Sequence, residues 1–190
     1  LQEEYPEHDL LNEDLESILL AATQLLLLVN EILDLSKVEV GQMEVHPTTF
    51  DFEELAMEVK RMLKPSLGSQ KNSIRLEVDE DLDEIFSDRD KVRQVLLNLL
   101  SNANKFTTED ELILRAATAL DGHRAMLVVE VEDHGEGMDE ETQRLIFRAF
   151  SQGVNALENR HKGTGLGLTI TRQFAHLLGG KVELEEIGKV

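Results

Sequence analysis

The chain of 190 residues contains no cysteine, and this absence removes whole classes of chemistry. Without thiols the protein can form neither a disulfide nor a thiolate nucleophile, which fits a reducing compartment. A basic N-terminal region followed by an apolar stretch is also missing, so no signal peptide is expected. The most apolar run, residues 18–28, is interrupted by Thr23 and Gln24 and is too short and polar to span a bilayer. We therefore expect a cytoplasmic location, although a longer parent protein can still carry a membrane anchor.

Basic residues are scarce as well. The chain has 19 Lys and Arg residues and 38 Asp and Glu residues, so its net charge is −19. Residues 1–47 hold one basic residue against eleven acidic ones, a net of −10. Such a surface disfavours nucleic acids and anionic membranes as partners. A polyphosphate ligand therefore needs a divalent cation and local positive groups, for which Lys105, Arg160 and Lys162 are the candidates.

Residues 10–40 carry the pattern of one long amphipathic helix. Apolar side chains recur at alternating spacings of four and three, which is a heptad repeat. The repeat comprises Leu11, Leu15, Ile18, Ala22, Leu25, Val29, Ile32 and Ser36, and Leu19, Leu26 and Leu33 widen it. A helix so apolar along one side is unstable alone in water. We favour a helix that pairs in a dimeric bundle, and a core helix within the domain is the alternative.

The rest of the chain mixes helices and strands. Gly41 ends the first helix and Pro47 begins a second unit, so we divide the chain into residues 1–46 and 47–190. The patterns predict helices from Phe52 to near Pro65, from Asp88 to Phe106, over 139–146 and over 166–178. They predict strands over 74–78, 112–120, 125–133 and 181–186. A hairpin turn is predicted at Asp121-Gly122. This order predicts an α/β fold, a two-layer α+β sandwich with helices on one face of a largely antiparallel sheet.

The helix predicted over residues 88–106 places three polar residues on one face. Asn98, Asn102 and Lys105 are spaced at i, i+4 and i+7. Neutral amide oxygens suit Mg²⁺, which few protein ligands hold and which water and phosphate oxygens complete. Lys105 offers a point charge to a phosphate. We predict that Asn102 and Asn98 are metal ligands, and a solvated polar face is the alternative.

Asp133 continues the apolar row of a predicted strand. Leu127, Val129 and Val131 point the same way as Asp133 along residues 125–133. A carboxylate buried in such a row needs a partner, and the exocyclic amino group of adenine is a plausible donor. Gly135 and Gly137 then let the chain turn and leave room for a flat ring. A plain hairpin turn is the alternative.

A second glycine-rich segment opens the last predicted helix. It reads Gly163, Thr164, Gly165, Leu166, Gly167 and Leu168. Backbone N–H groups here, together with the helix dipole, can bind phosphate oxygens. We interpret residues 151–162 as a mobile lid anchored by Phe147 and Phe150, with Arg160 and Lys162 able to approach the phosphates. For these two basic residues, a disordered surface loop is the alternative.

Together these motifs resemble those of sensor histidine kinases of two-component systems, in the ATPase superfamily that includes gyrase and MutL. The resemblance covers roughly residues 10–187. Residues 93–107 resemble the N box of these kinases, 133–137 the first glycine box, 147–150 the F box, and 163–168 the second glycine box. Residues 31–37 resemble the end of the second helix of the dimerisation hairpin.

The resemblance implies the Bergerat nucleotide-binding fold with ATP and Mg²⁺ as cofactors. It implies that Asp133 contacts adenine, that Asn102 binds Mg²⁺ and that Asn98 supports the same region. It further implies that Lys105 touches a phosphate. The implied partners are the protein's own dimerisation domain, a second copy of the chain and the receiver domain of a response regulator.

The chain departs from this family pattern in three places. The acceptor-histidine motif is missing, since His8-Asp9-Leu10 lacks the following Arg and Pro. His8 also lies only 28 residues before Ser36, which leaves room for one helix and not a hairpin. The family's further strand after a Gly-Xaa-Gly turn is not reached at Val190. Lastly, Lys162 stands where many relatives have glycine.

We therefore expect a histidine kinase catalytic domain that transfers the γ-phosphoryl of Mg·ATP to a histidine outside this chain. One alternative is an ATPase of the same superfamily that drives a clamp. Those relatives carry a glutamate where Asn98 stands, and asparagine cannot act as a general base. The other alternative is a non-catalytic, nucleotide-sensing module, which the complete motifs disfavour.

Overall fold

The computed structural model describes residues 6–82, 84–151 and 164–185. Its backbone contacts divide the chain into two compact units, one ending at Gln42 and the other starting at Met43. The functional division after residue 46 stays a prediction.

The first unit consists of one long helix. Helix α1 spans Pro6–Glu39, a little longer than predicted, and covers the described part of this unit as a single pass. Gly41 follows with a φ of 67°, in the left-handed region that glycine tolerates, and its N–H bonds the carbonyl of Val38. The described members of the heptad repeat expose their side chains; they include Leu15, Ile18, Leu25, Val29 and Ile32. The pairing of this helix in a dimeric bundle stays a prediction.

The second unit begins with a small sheet that the sequence patterns did not predict. Strand β1 (Thr48–Asp51) pairs antiparallel with β3 (Glu84–Ser87). Each strand has four residues, too few for an alternating pattern to stand out. Only Phe50 of these two strands is buried, and Phe86 is exposed. Tertiary pairing therefore decides these strands.

Helix α2 spans Phe52–Gln70, and the prediction that it stops near Pro65 is wrong. Asp51 caps the start, because its carboxylate accepts a hydrogen bond from the N–H of Glu54 over 2.9 Å. Pro65 lies on the exposed side of the helix, whereas Leu63 and Leu67 on either side of it are buried. The burial of Leu67 offsets the hydrogen bond that proline cannot donate.

A three-stranded sheet forms the other layer. It contains β2 (Ser73–Val78), β4 (Glu111–Asp121) and β5 (Arg124–Glu132) in the order β2-β4-β5. The β2–β4 pair is parallel and the β4–β5 pair is antiparallel, so the sheet is mixed. The predicted hairpin is confirmed, with Asp121 opposite Arg124 and Gly122 at a φ of 62°.

The described part of this unit contains three further helices: α3 (Arg89–Phe106), α4 (Glu140–Leu145) and α5 (Gly167–Leu177). Asp88 caps α3, as the capping sequence predicts, with its carboxylate accepting from the N–H of Lys91. The core lies between the sheet and helices α2 and α3. Its fully buried side chains include Phe52, Leu55, Leu96, Leu100, Leu112 and Leu114.

The predicted last strand over residues 181–186 is wrong for its described part. Residues 181–185 are irregular, and residue 186 lies outside the described chain. Alternation of Val182 and Leu184 is not enough, since a strand exists only when a neighbour completes its hydrogen-bond ladder. Leu184 is exposed. Across the described ranges, no helix combines the length and apolarity needed to cross a membrane.

Candidate functional site

Helix α3 places the three predicted polar residues on one side. Asn98 is half-buried and links two helices, because its Nδ2 donates to the backbone oxygen of Gly167 over 3.0 Å. Its Oδ1 accepts a 3.0 Å hydrogen bond from Nε2 of Gln94, one turn earlier on α3. One turn later, the side chain of half-buried Asn102 has no hydrogen-bond partner in the described part of the chain. The Asn102 amide oxygen is therefore open to a ligand.

Lys105 lies in the last turn of α3 and is half-buried. Burial lowers the pKa of the Lys105 ammonium group. Its Nζ lies 4.8 Å from the centroid of the Phe106 ring, within the range of a cation–π contact. Among the described residues no carboxylate pairs with it. A partly desolvated cation without an anionic partner suits a phosphate ligand.

A buried amide network holds the C-terminal end of α3. Nδ2 of Asn72 donates to Oδ1 of Asn104 over 2.9 Å and to the backbone oxygen of Thr107 over 2.7 Å. Oδ1 of Asn72 accepts from the N–H of Asp110 over 3.1 Å. The sequence patterns missed Asn72 and Asn104. The available signal was a third asparagine, Asn104, within a predicted helix, where asparagine is a poor helix former.

The Asp133–Gly137 loop lies against the end of α3. A Cβ on Gly135 would lie 2.7 Å from the backbone oxygen of Phe106 and 2.9 Å from Oδ1 of Asp133, so only glycine fits there. Gly137 has a φ of 76°, in the left-handed region. The side chain of Asp133 is exposed, with Oδ1 accepting from the N–H of Gly135 over 2.9 Å.

The burial expected for Asp133 is therefore wrong. Strand β5 ends at Glu132, so Asp133 lies just beyond the apolar row that it was expected to continue. Its neighbour His134 lies between two carboxylates, with Nδ1 3.5 Å from Oδ2 of Asp110 and Nε2 3.3 Å from Oε1 of Glu132. The hydrogen bond from Arg115 is the main reason that the pKa of Glu132 lies below its ordinary value. The sequence patterns missed this anchoring of the loop.

The segment before α5 packs on residues 147–151. The N–H of Phe150 donates to the carbonyl of Gly165 over 3.1 Å, and Oγ1 of Thr169 donates to the carbonyl of Phe147 over 3.2 Å. Gly165 has a φ of 71°, and a Cβ there would lie 3.0 Å from the backbone oxygen of Ser151. Ser151, the first residue of the predicted lid, thus lies beside Gly165, and residues 152–162 of that lid lie outside the described residues.

The remaining residues predicted to bind phosphate in this segment differ in burial, and some lie outside the described residues. The N–H of buried Leu166 bonds Oγ1 of Thr164 over 3.1 Å, and Leu168 is half-buried in the first turn of α5. Arg160, Lys162 and Gly163 lie outside the described residues. The structure therefore brings three motifs onto one helix, α3, with Gly167 beside Asn98 and Gly135 beside Phe106.

The donor set fits the group that the sequence implies. Asn102 offers a neutral amide oxygen that has no partner among the residues described, and Lys105 lies one turn further on. Mg²⁺ accepts one or two protein oxygens when phosphate oxygens and water complete its octahedron. No atom of the described chain lies within 4 Å of where a Cβ on Gly137 would be, so this glycine leaves room for a flat ring near the backbone.

Comparison with known proteins decides the family. The sequence profile of the histidine kinase-, DNA gyrase B- and HSP90-like ATPases matches residues 87–189, more than half of the chain. The chain belongs to this ATPase family. The match begins one residue before the cap of α3 and includes every predicted site residue.

Curated relatives of this ATPase family are sensor kinases. The sensor protein GacS of Pseudomonas syringae is 34% identical over 167 residues, which are 87% of this chain and 18% of GacS. The circadian input-output histidine kinase CikA of Thermosynechococcus vestitus is 35% identical over 176 residues, 91% of this chain and 24% of CikA. The chain thus spans about a fifth to a quarter of the length of these relatives.

Solved structures of the ATPase family agree. Full-length ShkA in complex with AMPPNP has a TM-score of 0.76 and 28% identity, over 94% of this chain and 35% of ShkA. The histidine kinase AdeS of Acinetobacter baumannii has a TM-score of 0.74 at 24% identity, over 92% of this chain and 78% of AdeS, which shows the fold. The two-layer nucleotide-binding fold and the resemblance to sensor histidine kinases are confirmed, and this ATP-binding catalytic domain is favoured over a clamp ATPase.

Proposed function

We propose that this chain binds Mg·ATP along α3, between the Asp133–Gly137 loop and the start of α5, and serves as the phosphoryl donor domain of a histidine kinase. The observation that carries the proposal is the 3.0 Å hydrogen bond from Asn98 to Gly167. It fixes the amide-bearing face of α3 beside the glycine-rich start of α5. The proposed metal ligands and the proposed phosphate-binding helix end would thereby be neighbours.

The adenine end of the site is formed by the Asp133 loop. The carboxylate of Asp133 would accept a hydrogen bond from the exocyclic amino group of adenine. Since Gly135 and Gly137 carry no Cβ, the ring can lie close to the backbone. Because Asp133 is exposed, its carboxylate is accessible to the base.

The phosphate end is formed by α3 and α5. Asn102, with Asn98 beside it, would supply amide oxygens to Mg²⁺, which neutralises the phosphates when bound. Lys105 would pair with a phosphate and recover the charge interactions that its burial costs. Backbone N–H groups of Gly163, Thr164, Gly165, Leu166, Gly167 and Leu168 would bind phosphate oxygens, with Arg160 and Lys162 as further cations.

Phosphoryl transfer then requires positioning and charge neutralisation more than covalent chemistry. The acceptor would be a histidine of a dimerisation domain outside this chain. We therefore expect no autophosphorylation by these 190 residues alone. Stoichiometric phosphohistidine on this chain, detected by mass spectrometry after incubation with Mg·ATP, would contradict that expectation.

Calorimetric titration tests the proposed site. Mg·ATP should bind the wild-type chain, and Asp133→Ala should lower the affinity at least tenfold, since each 1.4 kcal/mol changes affinity tenfold. Asp81→Ala is the matched control, because Asp81 is an exposed turn residue far along the chain from these motifs. Equal binding by Asp133→Ala and wild type would refute the adenine assignment. Lack of binding by wild type would refute the function.

Two copies of the parent protein would pair through α1. Leu25 and Leu27 are both exposed, but only Leu25 belongs to the heptad repeat, and Leu27 lies about 200° further around the helix. Sedimentation should show Leu25→Asp weakening self-association while Leu27→Asp leaves it unchanged. Equal effects of the two variants would remove the heptad face as the interface.

A response regulator receiver domain is the proposed protein partner of the whole kinase. The support is indirect: a solved complex of histidine kinase ThkA with response regulator TrrA shares this fold, with a TM-score of 0.60 at 23% identity. Transfer of phosphate from the parent kinase to a receiver domain would test this partnership.

A further inference from the structure

A line of two side-chain hydrogen bonds runs from α3 to α5. Nε2 of Gln94 donates to Oδ1 of Asn98 over 3.0 Å, and Nδ2 of Asn98 donates to the backbone oxygen of Gly167 over 3.0 Å. Both Gln94 and Asn98 are half-buried. Water therefore competes less for these bonds than it does on an open surface.

The two bonds set the orientation of the Asn98 amide. A backbone carbonyl can only accept, so Gly167 requires the NH₂ group of Asn98 on its side. The oxygen of Asn98 must then face the opposite way, toward the side chain of Gln94. Because two acceptors cannot bond each other, Gln94 has to present its NH₂ group and not its oxygen. The chemistry of these three groups thus allows one arrangement.

We propose that Gln94 is a positioning residue that fixes the Asn98 amide oxygen for a divalent cation. The inference rests on the proposed Mg·ATP site. An amide oxygen has two lone pairs, and Gln94 occupies one of them, so the second is left for the cation. Without a donor at position 94, the Asn98 oxygen is free to rotate, and the link to Gly167 loses its support.

Two variants of Gln94 separate this role from simple packing. Gln94→Glu keeps the size but presents only acceptors, so it attracts the NH₂ group of Asn98 and turns the Asn98 oxygen toward Gly167. Gln94→Met keeps the length and removes the donor without adding an acceptor. The experiment measures affinity for AMPPNP by calorimetry, with Mg²⁺ and with EDTA.

The expected result is selective for the metal. Gln94→Glu should weaken the binding of Mg·AMPPNP about tenfold and Gln94→Met about threefold, in line with the loss of one or two hydrogen bonds. Affinity in EDTA should stay within about twofold of wild type, because the adenine end is untouched. Gln70→Glu is the matched control for added charge, since Oε1 of Gln70 already acts as an acceptor, for Thr108.

Other outcomes overturn the inference in distinguishable ways. If both Gln94 variants bind Mg·AMPPNP as wild type does, or lose equal affinity with and without Mg²⁺, Gln94 does not position a metal ligand. If Gln70→Glu lost as much affinity for Mg·AMPPNP as Gln94→Glu, the loss would be explained by the added charge alone. Wild-type chain that binds no nucleotide overturns the proposed function itself. If Gln94→Glu does not fold, the affinities of Gln94→Met with and without Mg²⁺ still test the role of Gln94.

Discussion

Gly135 approaches Phe106 so closely that a Cβ on residue 135 would lie 2.7 Å from the backbone oxygen of residue 106. This contact joins the loop after β5 to the end of α3. Neither partner can yield by a side-chain rotation, because the atom approached belongs to the backbone. The loop that carries Asp133 is therefore positioned by the end of the helix that carries Lys105.

Gly135→Ala should separate the loop from α3. The added methyl group forces a backbone shift, so we expect a loss of about 1–3 kcal/mol in the free energy of unfolding, together with weaker nucleotide binding. Urea unfolding and calorimetry measure the two effects. Gly68→Ala is the control, because Gly68 lies within α2 with open space around it and no positive φ. That change should instead stabilise the chain by about 0.5–1 kcal/mol.

Asp88 and Asp139 both cap helices, but they should differ in their contributions to stability. Asp88 is buried and accepts from the N–H of His46 over 2.9 Å and from Nζ of Lys91 over 2.7 Å. Asp88→Ala leaves Lys91 buried without its partner, which costs about 3–5 kcal/mol. Asp139→Ala removes only an exposed cap of α4 and should cost about 1 kcal/mol. Similar losses in urea unfolding would contradict this comparison.

The same carboxylate makes stability depend on pH. Burial acts to raise the pKa of Asp88, but hydrogen bonds from His46 and Lys91 outweigh it and leave the pKa below its ordinary value. A folded-state pKa below the unfolded value of about 3.9 adds stability above that pH, and this stability is lost as the pH falls through the folded value. Asp88→Asn should therefore be less stable than wild type at pH 7, and the difference should shrink below about pH 4.

That pH dependence is checked by urea unfolding of both proteins between neutral and acidic pH. The difference between the free energies of unfolding of wild type and Asp88→Asn removes the contribution of other carboxylates, such as Glu132, whose pKa is lowered as well. A difference that stays constant down to the acid limit would show that Asp88 does not carry the effect.

Lys105→Met should stabilise the free chain and weaken its ligand binding. The ammonium group is partly desolvated, and its only recorded contact within the described residues is the Phe106 ring. Replacing it by an apolar side chain of similar length removes that desolvation cost, so we expect up to about 1 kcal/mol of added stability. Affinity for Mg·ATP should fall about tenfold through the loss of a charged phosphate contact, while adenosine binding stays unchanged. Equal losses for ATP and adenosine would contradict a phosphate role.

Pro65→Ala tests how α2 continues past its proline. Alanine restores the N–H that can bond the carbonyl of Arg61 and removes the ring clash with that carbonyl. We expect a gain of about 1–2 kcal/mol in urea unfolding, reduced by the extra freedom of the unfolded chain. Pro47→Ala, which lies before β1 and outside any helix, should give no such gain. A loss in Pro65→Ala would mean that the ring itself packs favourably.

Local patterns in the sequence predicted most of the regular structure. Asp88 marked the start of α3, and the spacing of Asn98, Asn102 and Lys105 marked one of its faces, because a cap and a helix face are encoded within a few residues of each other. The hairpin at Gly122 was equally local. The continuation of α2 past Pro65 could not be predicted from the local sequence, since it depends on the burial of Leu67 in a core contributed by distant segments.

The sequence by itself determined which side chains share one face of α3 and which segments contain glycines that permit a tight turn. Spacing along one helix and the missing Cβ of glycine are properties that neighbouring residues carry alone. Only the tertiary structure decided that Asn98 meets Gly167, that Asn72 holds Asn104, and that Asp133 is exposed. These contacts join residues far apart in the chain, so packing of the whole domain sets them.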